Sequence, residues 1–129
     1  MIKFIPISRM YDIVKEQYFS CLDEVYKQDN QFEGTYCKKS EQKLQDITGR
    51  KHALLVTSGT AGIMAMLLAQ QVKPGDEVIC INYSCPATVM PIMVLGAKPV
   101  FVDIDRHGQM DLSNVRSKVT ERTSAILTT

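Results

Sequence analysis

The chain has 129 residues, 45% hydrophobic and 22% charged, which suits one folded domain or part of one and argues against disorder along most of its length. Fifteen Lys and Arg against fourteen Asp and Glu leave a formal net charge of +1 with no long block of either sign, so nothing in the composition asks for a nucleic-acid partner. The cysteines Cys21, Cys37, Cys80 and Cys85 form no CxxC pair and no zinc spacing, no secretory signal opens the chain, and the apolar residues 4–7 are interrupted by Pro6 and followed by Arg9; reduced thiols, a cytoplasmic location and no membrane segment are expected.

After a short extended lead, Asp12 is placed to cap a helix in which Val14, Tyr18, Leu22 and Val25 recur at three-to-four spacing, giving one buried face through Tyr26. Residues 28–34 have turn chemistry and one anchoring aromatic, Phe32. A second helix is expected over 36–48, ending at Gly49.

From there short apolar runs alternate with helical ones, the mark of a parallel α/β layer. The expected order is a strand at 53–56, a helix at 61–71, a turn at 73–76, a strand at 77–81 and a helix at about 86–95 stopped by Gly96. A strand at 99–103, a surface helix at 112–119 and a strand at 124–128 follow. That last strand meets the end of the sequence without a covering helix, so the chain is expected to be a piece of a larger architecture.

The segment VTSGTAG at 56–62 stands between an expected strand and an expected helix and, after Val56, contains only small and hydroxyl-bearing residues. Such a turn can bind an anion. Amides at a helix N-terminus lack intrahelical partners and lie at the positive end of the helix dipole, Gly59 lets a phosphate approach the main chain, and the Thr60 hydroxyl adds a donor. The same seven residues equally allow Ser58 simply to cap the helix while Gly59 permits a tight turn. The segment is neither GxGxxG nor a Walker A sequence, which removes support for a dinucleotide or a nucleoside triphosphate.

Other residues read as ordinary structure. Asp103 and Asp105 end a strand without a third ligand, His52 and His107 accompany no nucleophile signature, and Met64, Met66, Met90 and Met93 suit flexible core filling. No catalytic or metal-binding residue is assigned.

The order of segments resembles the fold-type-I, pyridoxal-phosphate-dependent sugar aminotransferases of the DegT/StrS type. The resemblance is carried by IPISR at 5–9, by Gly34 fifteen positions before Gly49, by RKHA at 50–53 leading to SGTA at 58–61, by KPGDEVI at 73–79, and by LGAKPVFVDID at 95–105. By length it covers about the first third of such an enzyme. It implies a three-layer, mostly parallel α/β fold, the N-terminal part of the large cofactor domain. Residues 1–33 then form a helical lead and loop, and 34–129 a partial large domain truncated at its C-terminal end.

The resemblance further implies pyridoxal 5′-phosphate as cofactor, with Gly59, Thr60 and Ala61 cradling its phosphate. The loop NYSCPAT at 82–88 matches the family loop that supplies an aromatic against the cofactor ring, and that position falls here on Cys85, whose thiol offers far less flat surface. Ser40 stands where the family usually has Phe before Glu41. The lysine that holds the cofactor covalently, and the carboxylate that faces its ring nitrogen, have no counterpart in these 129 residues.

The implied reaction moves an amino group from an amino-acid donor, glutamate in the family, to a nucleotide-linked keto-sugar, as in polysaccharide biosynthesis, with a homodimer expected for the complete chain. A non-catalytic remnant or half of a split gene, or a small phosphate-binding α/β module, remain open alternatives. In the family arrangement the strand at 53–56 is separated from that at 124–128 by later strands, so the two are not expected to share a continuous sheet here.

Overall fold

A computed structural model describes residues 7–27 and 34–128, which form two compact units, one ending at Leu55 and the other beginning at Val56. The extended lead at 1–6 and the Phe32 anchor lie outside the described residues.

The first unit holds α1 (Ile7–Tyr26) and α2 (Thr35–Thr48). Helix α1 starts at Ile7, ahead of the expected Asp12 cap, and its last turn is closed by a Lys27–Asp23 ion pair at 2.5 Å. Its apolar stripe is only partly covered: Leu22 and Val25 are half-buried, whereas Val14 and Tyr18 keep 47% and 57% of their surface. The expected buried face is therefore not formed among the described residues, where no residue of α1 or α2 is fully buried. Helix α2 ends as expected at Gly49, whose φ of +66° gives the left-handed C-terminal turn that glycine adopts without strain. The Tyr36 hydroxyl donates to Glu24, which ties α2 to α1 and keeps the phenol protonated well above its usual range.

Residues 53–56 do not form the expected strand. No neighbouring strand offers them a ladder among the described residues, and the Leu55 amide instead donates to Glu41 Oε1 at 2.9 Å. Apolar composition satisfied the pattern for a strand, but a strand also needs a partner.

The second unit runs α3 (Gly59–Ala69), β1 (Glu77–Ile81), α4 (Pro86–Val94), β2 (Lys98–Val102), α5 (Leu112–Lys118), β3 (Thr123–Leu127). Its three strands are parallel in the order β2-β1-β3, with Val78 opposite Pro99 on one side and Ala125 on the other. β1 is central and wholly buried, as its unbroken apolar run after Glu77 requires.

Alternation along β1 divides the core into two layers. Val78 and Cys80 pack with Leu67 of α3 and Ile92 of α4, while Ile79 and Ile81 pack with Val102 and with Val115 of α5. The result is the expected three-layer arrangement, α3 and α4 on one face of the sheet and α5 on the other. Gly96 closes α4 with φ +71°, and its carbonyl accepts from the Gly75 amide at 3.1 Å, joining the two turns at one edge.

Glu77 pins that same edge. Its side chain, 4% exposed, accepts from Thr120 Oγ1 at 2.7 Å, Arg122 Nη2 at 3.1 Å and Lys98 Nζ at 3.3 Å. These donors, the Thr120 hydroxyl first and the Arg122 guanidinium next, hold its carboxyl below the usual glutamate range against the opposing effect of burial. One carboxylate thus links the starts of β1 and β2 with the approach to β3.

Candidate functional site

Ser58 is extended, with φ −162° and ψ 163°, and its Oγ accepts from the Ala61 amide at 3.1 Å, while its carbonyl accepts from the Gly62 amide at 3.0 Å. Helix α3 therefore begins at Gly59 with a true side-chain cap. The cap uses the Ala61 amide. The Gly59 and Thr60 amides have no partner among the described residues, and a Cβ built on Gly59 would have nothing within 4 Å. Ser58 thus caps the helix, while the amides of Gly59 and Thr60 are left without a partner among the described residues.

In a parallel layer the C-terminal ends of the strands and the N-termini of the following helices meet at one edge. Helix α3 leads into β1 and packs against α4, which follows β1, so the starts of both helices lie at the same edge of the second unit. The loop between β1 and α4 begins with the Asn82 amide donating to the Val102 carbonyl at 3.0 Å, one step beyond the strand ladder, and Asn82 Nδ2 reaches Asp103 Oδ1 at 3.3 Å.

Cys85 occupies the N-cap of α4 with extended dihedrals, φ −62° and ψ 136°, followed by Pro86 at the first helical position, where its missing N–H costs nothing. The Cys85 side chain makes no cap hydrogen bond and is exposed. The first turn is tied instead by Ser84 Oγ and Thr88 Oγ1 at 3.0 Å, and by the Thr88 amide donating to the Cys85 carbonyl at 2.9 Å. Ser84 and Thr88 were not foreseen as site residues, and their four-residue spacing across Pro86 is the one trace they leave in the sequence.

The acidic residues after β2 organise their own loop. Asp105 Oδ1 accepts from the amides of His107 and Gln109 at 2.8 and 3.0 Å, and Asp103 Oδ1 accepts from the Ile104 amide at 2.9 Å. His107 Nε2 accepts from Arg106 Nε at 3.0 Å. No group of three or more His, Cys, Asp or Glu converges among the described residues, and none of the described helices is long and apolar enough to cross a membrane. An apolar groove between α3 and β3, lined by Ile63, Met66, Leu67, Ala125 and Leu127, lies along the flank of α3 beyond its N-terminal turn.

Comparison with known proteins agrees with this α/β frame. The pattern of the DegT/DnrJ/EryC1/StrS aminotransferase family matches residues 12–129, and the chain belongs to that family. Among curated relatives, a UDP-4-amino-4-deoxy-L-arabinose–oxoglutarate aminotransferase of Shewanella sediminis is 36% identical over 97% of this chain and 32% of its own length. A DegT DnrJ EryC1 StrS aminotransferase of Brucella abortus superposes with a TM-score of 0.92 over 99% of this chain and 36% of its own, at 21% identity, and so shares the fold. The GDP-4-keto-6-deoxy-D-mannose-3-dehydratase of E. coli, solved with hydrated PLP bound, is 30% identical with a TM-score of 0.75 over 85% of this chain and 30% of its own. The chain spans about a third of the length of the curated relatives it matches.

Proposed function

We propose that the second unit contributes the phosphate-binding part of a pyridoxal 5′-phosphate site in an aminotransferase acting on nucleotide-linked keto-sugars. The observation that carries this reading is the pair of unpartnered amides of Gly59 and Thr60 at the start of α3, beside the open space above Gly59. A phosphate monoester there would accept both N–H groups, with the Thr60 hydroxyl as a further donor and the helix dipole favouring its charge. Ala61 completes the cradle by position. Its amide reaches an anion when the Ser58 hydroxyl turns to donate instead of accepting.

Cys85 is assigned to the loop beside the cofactor ring, on the strength of its place at the same sheet edge and its uncommitted side chain. Bound there, the cofactor would carry an amino group between two half-reactions: the amino-acid donor leaves as a 2-oxo acid and the sugar ketone becomes an amine. The residues of this chain bind and orient. Glutamate as donor, a homodimeric assembly and a cytoplasmic setting accompany the reading.

The test is to titrate the chain with inorganic phosphate and with pyridoxal phosphate while following backbone amide resonances. Saturable shifts centred on Gly59 and Thr60 with both ligands are expected. Shifts elsewhere, or none, would leave Ser58 as a cap and the turn without a ligand. For the reaction itself, a longer polypeptide containing this chain should convert a nucleotide keto-sugar and glutamate to an amino sugar and 2-oxoglutarate; a deoxy-keto sugar with ammonia released would place it with the dehydratases.

A further inference from the structure

We infer that Thr88 is a positioning residue for the cofactor-ring loop, acting through Ser84 to hold Cys85 in place; the inference rests on the reading of that loop given above. A helix N-cap is ordinarily filled by a side chain that accepts from the first turn. Cys85 holds that position in α4 and does not do so. The work passes to its neighbours: Ser84 Oγ meets Thr88 Oγ1 at 3.0 Å, and the Thr88 amide donates to the Cys85 carbonyl at 2.9 Å.

The two partners are unequal. Thr88 is buried, with 7% of its surface exposed, and belongs to a helix packed against α3 and the sheet, whereas Ser84 and Cys85 are exposed. The fixed end of the link is therefore Thr88, and the held end is the loop. Pro86 between them limits φ at its own position and biases Cys85 toward extended backbone, as observed. Three constraints converge on residue 85 from main chain and neighbours, and none uses its side chain. The thiol is left available to whatever occupies the edge where α3 and α4 begin.

The test uses the whole chain and its own cysteines. Iodoacetamide labelling resolved by peptide mapping gives the rate at Cys85, with exposed Cys37 as reference and buried Cys80 as a reporter of unfolding. Thr88→Val keeps the branched shape and loses the hydroxyl, and Ser84→Ala breaks the same link from the exposed side. Both should raise the Cys85-to-Cys37 ratio about fivefold, the equilibrium ratio of one ordinary hydrogen bond, and Thr88→Ser should restore it. An unchanged ratio, or labelling of Cys80 in step with Cys85, would overturn the assignment.

A second measurement separates this inference from the site it serves. In Thr88→Val, pyridoxal phosphate should bind about fivefold more weakly while inorganic phosphate, which needs only the turn at 58–60, binds as before. Equal weakening of both would reduce Thr88 to a fold residue. If wild-type chain binds neither ligand, the cofactor reading falls, and the labelling ratios still decide whether Thr88 holds the loop.

Discussion

Ser58 and Gly59 are adjacent, yet the structure gives them opposite tasks. Ser58 spends its hydroxyl on the Ala61 amide, so Ser58→Ala should lower stability by about 1 kcal/mol, read as a shift in urea midpoint at unchanged slope. Gly59 lies in the first turn of α3 with nothing near its missing side chain, so Gly59→Ala should leave stability unchanged or raise it by about 0.5 kcal/mol. The added methyl occupies the space assigned to the phosphate, and phosphate affinity should fall several-fold. A variant that lost stability and kept its affinity would contradict the geometry. This turn was legible because few residue types start a helix with a hydroxyl and a glycine side by side. How the amides divide between cap and ligand was not legible, since composition does not record which N–H the hydroxyl takes.

Elements of the second unit show where pattern suffices and where it does not. β1 was readable to the residue because a wholly buried parallel strand is a continuous apolar run, and Gly96 announced the end of α4. The segment at 53–56 has the same apolar character and forms no strand, because ladder partners are a property of neighbours rather than of the segment. Likewise the stripe on α1 was readable as a helix face but not as a covered one. Gly96 tests the joint between turns: a side chain there meets Pro74 at 3.1 Å and needs a positive φ, so Gly96→Ala should cost about 1–2 kcal/mol in thermal unfolding. Glu77 tests the sheet edge. Its folded-state pKa is lowered, so its contribution is present above the ordinary glutamate value and is lost as pH falls through the lowered one. Glu77→Gln should therefore flatten the acid side of the stability profile, whereas parallel profiles for the two proteins would show that the ionised form does not matter.

At the scale of the second unit, the outer edge of β3 is a surface open to association. β3 is an edge strand, Ile126 keeps half of its surface, and the apolar groove against α3 runs beside it. Long unpaired edges invite further pairing. Ile126→Lys should reduce concentration-dependent light scattering of this chain, and equal scattering in both proteins would move the association surface elsewhere. The carboxylate at Glu77 also implies an order of assembly. Its contact with Lys98 closes a separation of 21 residues, while that with Arg122 closes one of 45. Shorter closures cost less chain entropy and form sooner, so β1 and β2 are expected to meet first and β3 to dock last. Removing the Arg122 partner should then speed unfolding more than it slows refolding, because the strand it anchors is the last to arrive and the first to leave.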